Sequence, residues 1–86
     1  MDFHVFDTYV KAEDGHTMHF DVITDRKETE KAIEYAKEWL KTINESEAKI
    51  TLEECRFCHS ESVQDEIEIE IMTNGYFISK MEGCPQ

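Results

Sequence analysis

Basic side chains are scarce in this chain. Nine lysines and arginines stand against twenty aspartates and glutamates, leaving a net charge of −11 over 86 residues. No Lys/Arg cluster is present to displace counterions from a phosphate backbone, which excludes a nucleic-acid partner and disfavours an anionic membrane surface. No apolar run approaches the roughly 20 residues that span a bilayer, so no membrane segment is expected. A basic stretch followed by an apolar one is missing after Met1, so no secretory signal is read and the cytoplasm is the expected compartment. The three glycines, Gly15, Gly75 and Gly83, are isolated, which rules out a glycine-rich phosphate loop. Neither a Gly-x-Ser-x-Gly elbow nor a His-Glu-x-x-His helix occurs. Three cysteines are an odd number, which fits reduced thiols or metal ligation better than a disulfide framework. The acidic balance speaks first to solubility and is compatible with a basic protein partner, a homo-oligomer or a cation.

Apolar matter is sufficient: 40% of the residues are hydrophobic and 10% aromatic, too many for a disordered acidic tail. The length suits a single domain over residues 1–86 with a small core, since such a chain buries only about 60–65% of its unfolded surface. Phe3 to Lys11 and Thr17 to Thr24 are rich in β-branched and aromatic residues. Glu13-Asp14-Gly15 between them suits a three-residue hairpin loop with Gly15 in the left-handed region. That register pairs Ala12 with His16, Val10 with Met18, Thr8 with Phe20 and Phe6 with Val22. It gathers Phe6, Val10, Met18, Phe20 and Val22 on a core face and sets Asp7 against Asp21 and Tyr9 against His19 on the other.

Asp25 with Glu28 predicts a capping box. Helical spacing of Ala32, Ile33, Ala36, Leu40 and Ile43 predicts a helix over Glu28 to Ile43, with Tyr35 and Trp39 at the core rim. Ala48 to Cys55 reads as a strand and Cys55 to Ser60 as a loop. Ser62 to Asn74 alternates Ile and Glu as a strand would. Yet Val63, Ile67 and Ile71 fall at helical spacing and Asn74-Gly75 is a helix stop, so a helix is expected, with Ile69 as its misfit. Tyr76 to Met81 is the last strand. The order β-β-α-β-α-β predicts an α+β, two-layer fold, a mixed four-stranded sheet with two helices packed on it.

Two constellations could carry chemistry. Cys55-x-x-Cys58-His59 matches a haem-attachment pattern, which the missing export signal argues against. It also matches half a zinc site, with Cys84 as a third ligand, so that Cys55, Cys58, His59 and Cys84 would clip one ion, His16 or His4 being alternatives to His59. A third reading is a redox pair. The plain alternative makes Cys55 and Cys58 small apolar residues flanking Phe57. The second constellation is the polar hairpin face of Asp7, Tyr9, His19 and Asp21. Two carboxylates beside an imidazole can bind a divalent cation or do acid–base work; a solvated outer face with a Tyr9–His19 cross-strand pair is the plain alternative. Glu53 and Glu54 beside Arg56 read as a local ion pair.

The runs His4 to Lys11, Asp14 to Val22, Glu54-Cys55-Arg56-Phe57-Cys58-His59-Ser60 and Asn74-Gly75-Tyr76-Phe77-Ile78 together resemble a small bacterial family classed as a domain of unknown function, number two thousand and twenty-four. The likeness runs nearly end to end, and Cys-Arg-Phe-Cys-His-Ser is its most specific part. The resemblance implies a stand-alone α+β domain and brings no activity, substrate or cofactor. The expected function is a small cytosolic binding or regulatory module, non-enzymatic, with a zinc-type metal clip in the cysteine loop. The alternative is a small enzyme or thiol-redox protein using Cys55 and Cys58, or Asp7, His19 and Asp21.

Overall fold

The computed structural model describes residues 2–50 and 54–84. Strands β1 (Phe3–Lys11) and β2 (Thr17–Thr24) form the hairpin the sequence predicts, with Val10 opposite Met18, Thr8 opposite Phe20 and Phe6 opposite Val22. The Ala12 N–H donates to the His16 carbonyl at 2.8 Å and the Gly15 N–H to the Ala12 carbonyl at 2.9 Å. Gly15 sits at φ +95°, the left-handed conformation the turn demands.

Helix α1 (Thr29–Thr42) buries Ala32, Ala36 and Leu40, the stripe expected from its spacing. Its start differs from expectation. The N-cap is Glu28, in extended conformation and without a side-chain cap. The Glu28 carboxylate is instead occupied by the Arg26 guanidinium at 2.8 Å and the Lys27 N–H at 3.0 Å, so no capping box closes on Asp25.

Strand β3 (Cys55–Glu61) runs where a loop was expected. The predicted strand over Ala48 to Cys55 reduces to a single bridge between Lys49 and Lys11; residues 51–53 of that prediction lie outside the described residues. β3 is an edge strand whose residues beyond Cys55 are exposed, so it carries no apolar alternation to be read. Helix α2 (Asp65–Asn74) lies within the span predicted for it. Ile71 is buried and Ile69 is 65% exposed, which decides the helical period over the two-residue one. Gly75 closes the helix at φ +95°, its N–H donating to the Ile71 carbonyl at 2.7 Å. Strand β4 (Tyr76–Glu82) completes the sheet.

The α+β class, the element order and the sheet of four strands with two helices are as expected. Two details of the architecture are corrected. The sheet order is β3-β1-β2-β4 and every neighbouring pair is antiparallel, so the sheet is not mixed. The α1 connection carries the chain past β1 before β3 pairs, leaving the parallel strands β2 and β3 separated by β1. The helices also cover opposite faces, so the arrangement is not two-layered. Phe6, Val10, Met18, Phe20 and Val22 pack with Ala32, Ala36 and Leu40 of α1. Phe3, Val5 and Ile23, on the other face, pack with Ile71 of α2.

Candidate functional site: the uncovered end of the hairpin

A ten-residue helix is about 15 Å long, and α2 covers only the end of its face that holds Phe3, Val5 and Ile23. Further along the same face the alternation of β1 and β2 presents Asp7 opposite Asp21 and Tyr9 opposite His19. His19 Nε2 donates diagonally to Asp7 Oδ1 at 2.5 Å. The Tyr9 ring stacks on the His19 imidazole, centroids 4.2 Å apart and planes within 7°. The stack and the carboxylate together fix the imidazole's plane and its donor nitrogen.

One ligand-type atom each from Asp7, His19 and Asp21 lies within 4.8 Å of the others. Burial is the main cause that pushes the Asp21 carboxyl up to about 6; the charge of Asp7 and a hydrogen bond shared with it push the same way, against the pull of His19 and His59. A positive charge, whether proton or cation, is therefore favoured between the two carboxylates. Across the sheet, β3 sets Arg56 opposite Asp7. A cleft of about 420 Å³ opens beside them, lined by Asp7, Tyr9, Glu54 and Arg56.

The cysteines are dispersed. Cys55 is buried opposite Thr8, whose hydroxyl donates to its sulfur at 3.5 Å, and burial pushes its thiol up. Cys58 is exposed, three steps further along an extended strand, about 10 Å away at roughly 3.3 Å per residue. That exceeds the ~7 Å Cα separation a disulfide tolerates, so Cys55 and Cys58 are not a redox pair. Cys84 follows β4, at the opposite edge of the sheet, where its thiol faces the His19 carbonyl at 3.5 Å. Two strands intervene, about 14 Å at ~4.8 Å per strand. The zinc clip of Cys55, Cys58, His59 and Cys84 is thus not assembled, because the segment carrying three of its ligands is extended and the fourth lies across the sheet. The two alternative histidines are engaged elsewhere: His4 with Ser60 at 2.8 Å, and His16 with Asp14 and the Gly83 carbonyl.

A family profile described as a domain of unknown function, DUF2024, matches residues 1–81. The chain belongs to this family. The DUF2024 chain is also similar to a solved structure, the NMR structure of protein NE1680 from Nitrosomonas europaea. The two are 62% identical, the match covers 99% of this chain and 100% of that one, and the TM-score is 0.89. No curated protein matches the chain.

Of the residues singled out in the sequence, the DUF2024 fold gathers Asp7, Tyr9, His19 and Asp21 and separates the sulfurs. In the sequence, Arg56 and Glu54 stand only as each other's neighbours. Their place beside Asp7 and Tyr9 follows from the β3 register, for which the sequence carried no periodic signal.

Proposed function

We propose that this chain is a cytoplasmic binding module, one domain over residues 1–86, which takes up a single first-row divalent cation of the zinc type between Asp7, His19 and Asp21. The observation that carries this reading is the convergence of two carboxylates and one imidazole within 4.8 Å on two paired strands. Nitrogen and oxygen donors suit zinc, at about 2.0–2.2 Å each. Three such ligands stand roughly 3.4 Å apart around a tetrahedral ion of that radius, so small side-chain rotations would close the trio. The cation would take over the neutralising role that a proton has at Asp21, and would replace the contact of His19 with Asp7.

A second reading keeps the residues and drops the cation. Asp21, titrating at about 6, would serve as a proton donor and His19, oriented by Asp7, as a base in a small enzyme. Calorimetric titration of chelator-stripped protein separates the two. The cation reading expects one zinc per chain, retained in Cys58→Ser and lost in Asp21→Asn and in His19→Gln. Wild-type protein that takes up no zinc, or loses it in Cys58→Ser, sinks the cation reading.

A further inference from the structure

The β1–β3 ladder slips between its Val5 and Phe6 positions: Phe6 pairs with Phe57 and Val5 with His59, leaving Cys58 as the extra residue of a bulge. Bulges lift a side chain out of the regular alternation, and Cys58 is exposed there on an edge strand. Its sulfur lies 3.2 Å from His59 Nδ1. The other ring nitrogen, Nε2, lies 2.5 Å from Glu61 Oε1. An ionised carboxylate only accepts hydrogen bonds, so Nε2 carries the proton and, in the neutral ring, Nδ1 turns its lone pair toward the thiol. Thiol, base and base-orienting carboxylate thus stand in line within four consecutive residues, the arrangement that activates a nucleophile. Cys55 and Cys84 lack it: burial pushes both thiols up.

We propose that Cys58, with His59 as its base and Glu61 as the positioning residue, is a site of thiol–disulfide exchange with small-molecule disulfides. The Cys58 proton passes to His59 Nδ1, and the thiolate attacks one sulfur of the disulfide. A bond forms between Cys58 Sγ and that sulfur as the original S–S bond breaks, and the departing thiolate takes the proton from His59. Cys58 is oxidised to a mixed disulfide, half of the reagent is reduced to a thiol, and a second thiol reverses the step. An extended backbone keeps Cys55 out of reach as a resolving thiol, so the mixed disulfide persists until an external thiol arrives. Besides His59 and Glu61, the charged and titratable groups nearest the site are His4 of β1, whose ring lies 6.2 Å from that of Phe57, Asp7 of β1 with Arg56 of β3 opposite it, and Asp21 of β2, which interacts electrostatically with His59.

Magnitudes choose the readout. Lowering a thiol pKa from about 8.5 to about 7 raises its thiolate fraction at pH 7 about sixteenfold, but intrinsic nucleophilicity falls about fivefold, a net gain of about threefold. The pH midpoint of the reaction is therefore more telling than its rate. The whole protein is reacted with dithiodipyridine, a small neutral disulfide, and the modified cysteine is assigned by mass spectrometry. The expected result is that Cys58 reacts first and at a lower pH midpoint than the same thiol in the unfolded chain, that His59→Gln removes the difference, and that Glu61→Gln removes part of it. Urea-unfolded wild type gives the reference midpoint of the same thiol. A folded Cys58 midpoint equal to that reference, or one unmoved in both variants, overturns the proposal. His59 and Glu61 are about half exposed, so neither substitution empties the core, and circular dichroism checks that the variants stay folded.

Discussion

The two faces of one hairpin have opposite fates. On the first face, Phe6, Thr8, Val10, Met18, Phe20 and Val22 are all buried beneath α1. On the second, Phe3, Val5 and Ile23 are buried against α2, whereas Asp7, Tyr9, His19 and Asp21 are left partly open. The strands are the same and so is their alternation; what differs is the length of the covering helix. Fourteen residues in α1 reach about 21 Å, and ten in α2 about 15 Å. Where the second helix stops, carboxylates and an imidazole occupy positions that apolar residues fill elsewhere. The place available for chemistry is thus set by what α2 fails to cover.

The sharpest contrast between the faces is energetic. Phe20 is fully buried, its ring 4.8 Å from that of Trp39. Phe20→Ala is expected to cost about 3–5 kcal/mol in urea unfolding. Tyr9→Ala, two positions from the half-buried Asp7 on the open face and itself 43% exposed, is expected to cost about 1 kcal/mol or less. Comparable losses at the two positions would mean that the faces are not different in kind.

A smaller effect of opposite sign belongs to Asp21. Its carboxyl titrates at about 6 in the folded chain and at about 3.9 unfolded. Its favourable contribution is therefore complete below pH 4 and lost as the pH rises through about 6. Asp21→Asn is expected to stabilise the cation-free protein by about 1 kcal/mol at pH 7, once solvent screening is allowed for, and to leave it unchanged below pH 4. Denaturation midpoints across that range check both limits.

The smallest effect lies at the hairpin tip, on neither face. Both nitrogens of His16 meet acceptors, Asp14 and the Gly83 carbonyl, and only the imidazolium donates to both. The Gly83 carbonyl and the Asp14 carboxylate hold the His16 pKa above its ordinary value. The sign follows: this contribution is present below about 6.5 and lost as the pH rises through the folded value. His16→Ala should therefore lower the melting temperature at pH 6 and lower it less at pH 9. An equal decrement at both would remove the charged pairing.

The legible parts of this fold were those with a buried side. The hairpin register could be read because one slip would have mixed Phe6, Phe20 and Val22 with Asp7 and Asp21. Helix α2 could be read because Val63, Ile67 and Ile71 needed a common side and Gly75 a left-handed cap. β3 could not, since Arg56 to Glu61 lie exposed at an edge and a bulge interrupts their alternation. As an extended edge strand, β3 holds Cys55 and Cys58 at the opposite side of the sheet from Cys84, where a loop could have brought them around one ion. Asp7, Tyr9, His19 and Asp21 came from the legible hairpin, and their mutual placement was predictable to the residue.

The central position of β1 and β2 also governs how the chain is born. A ribosome delivers both middle strands before either flank, and a hairpin closes in roughly 1–10 μs, whereas synthesis adds only about 5–20 residues each second. For about 1–4 s, until α1 is complete, the nascent ribbon must hold Phe6 and Phe20 without a lid, at a size where two strands alone are marginal. The first segment made that can cover them is α1.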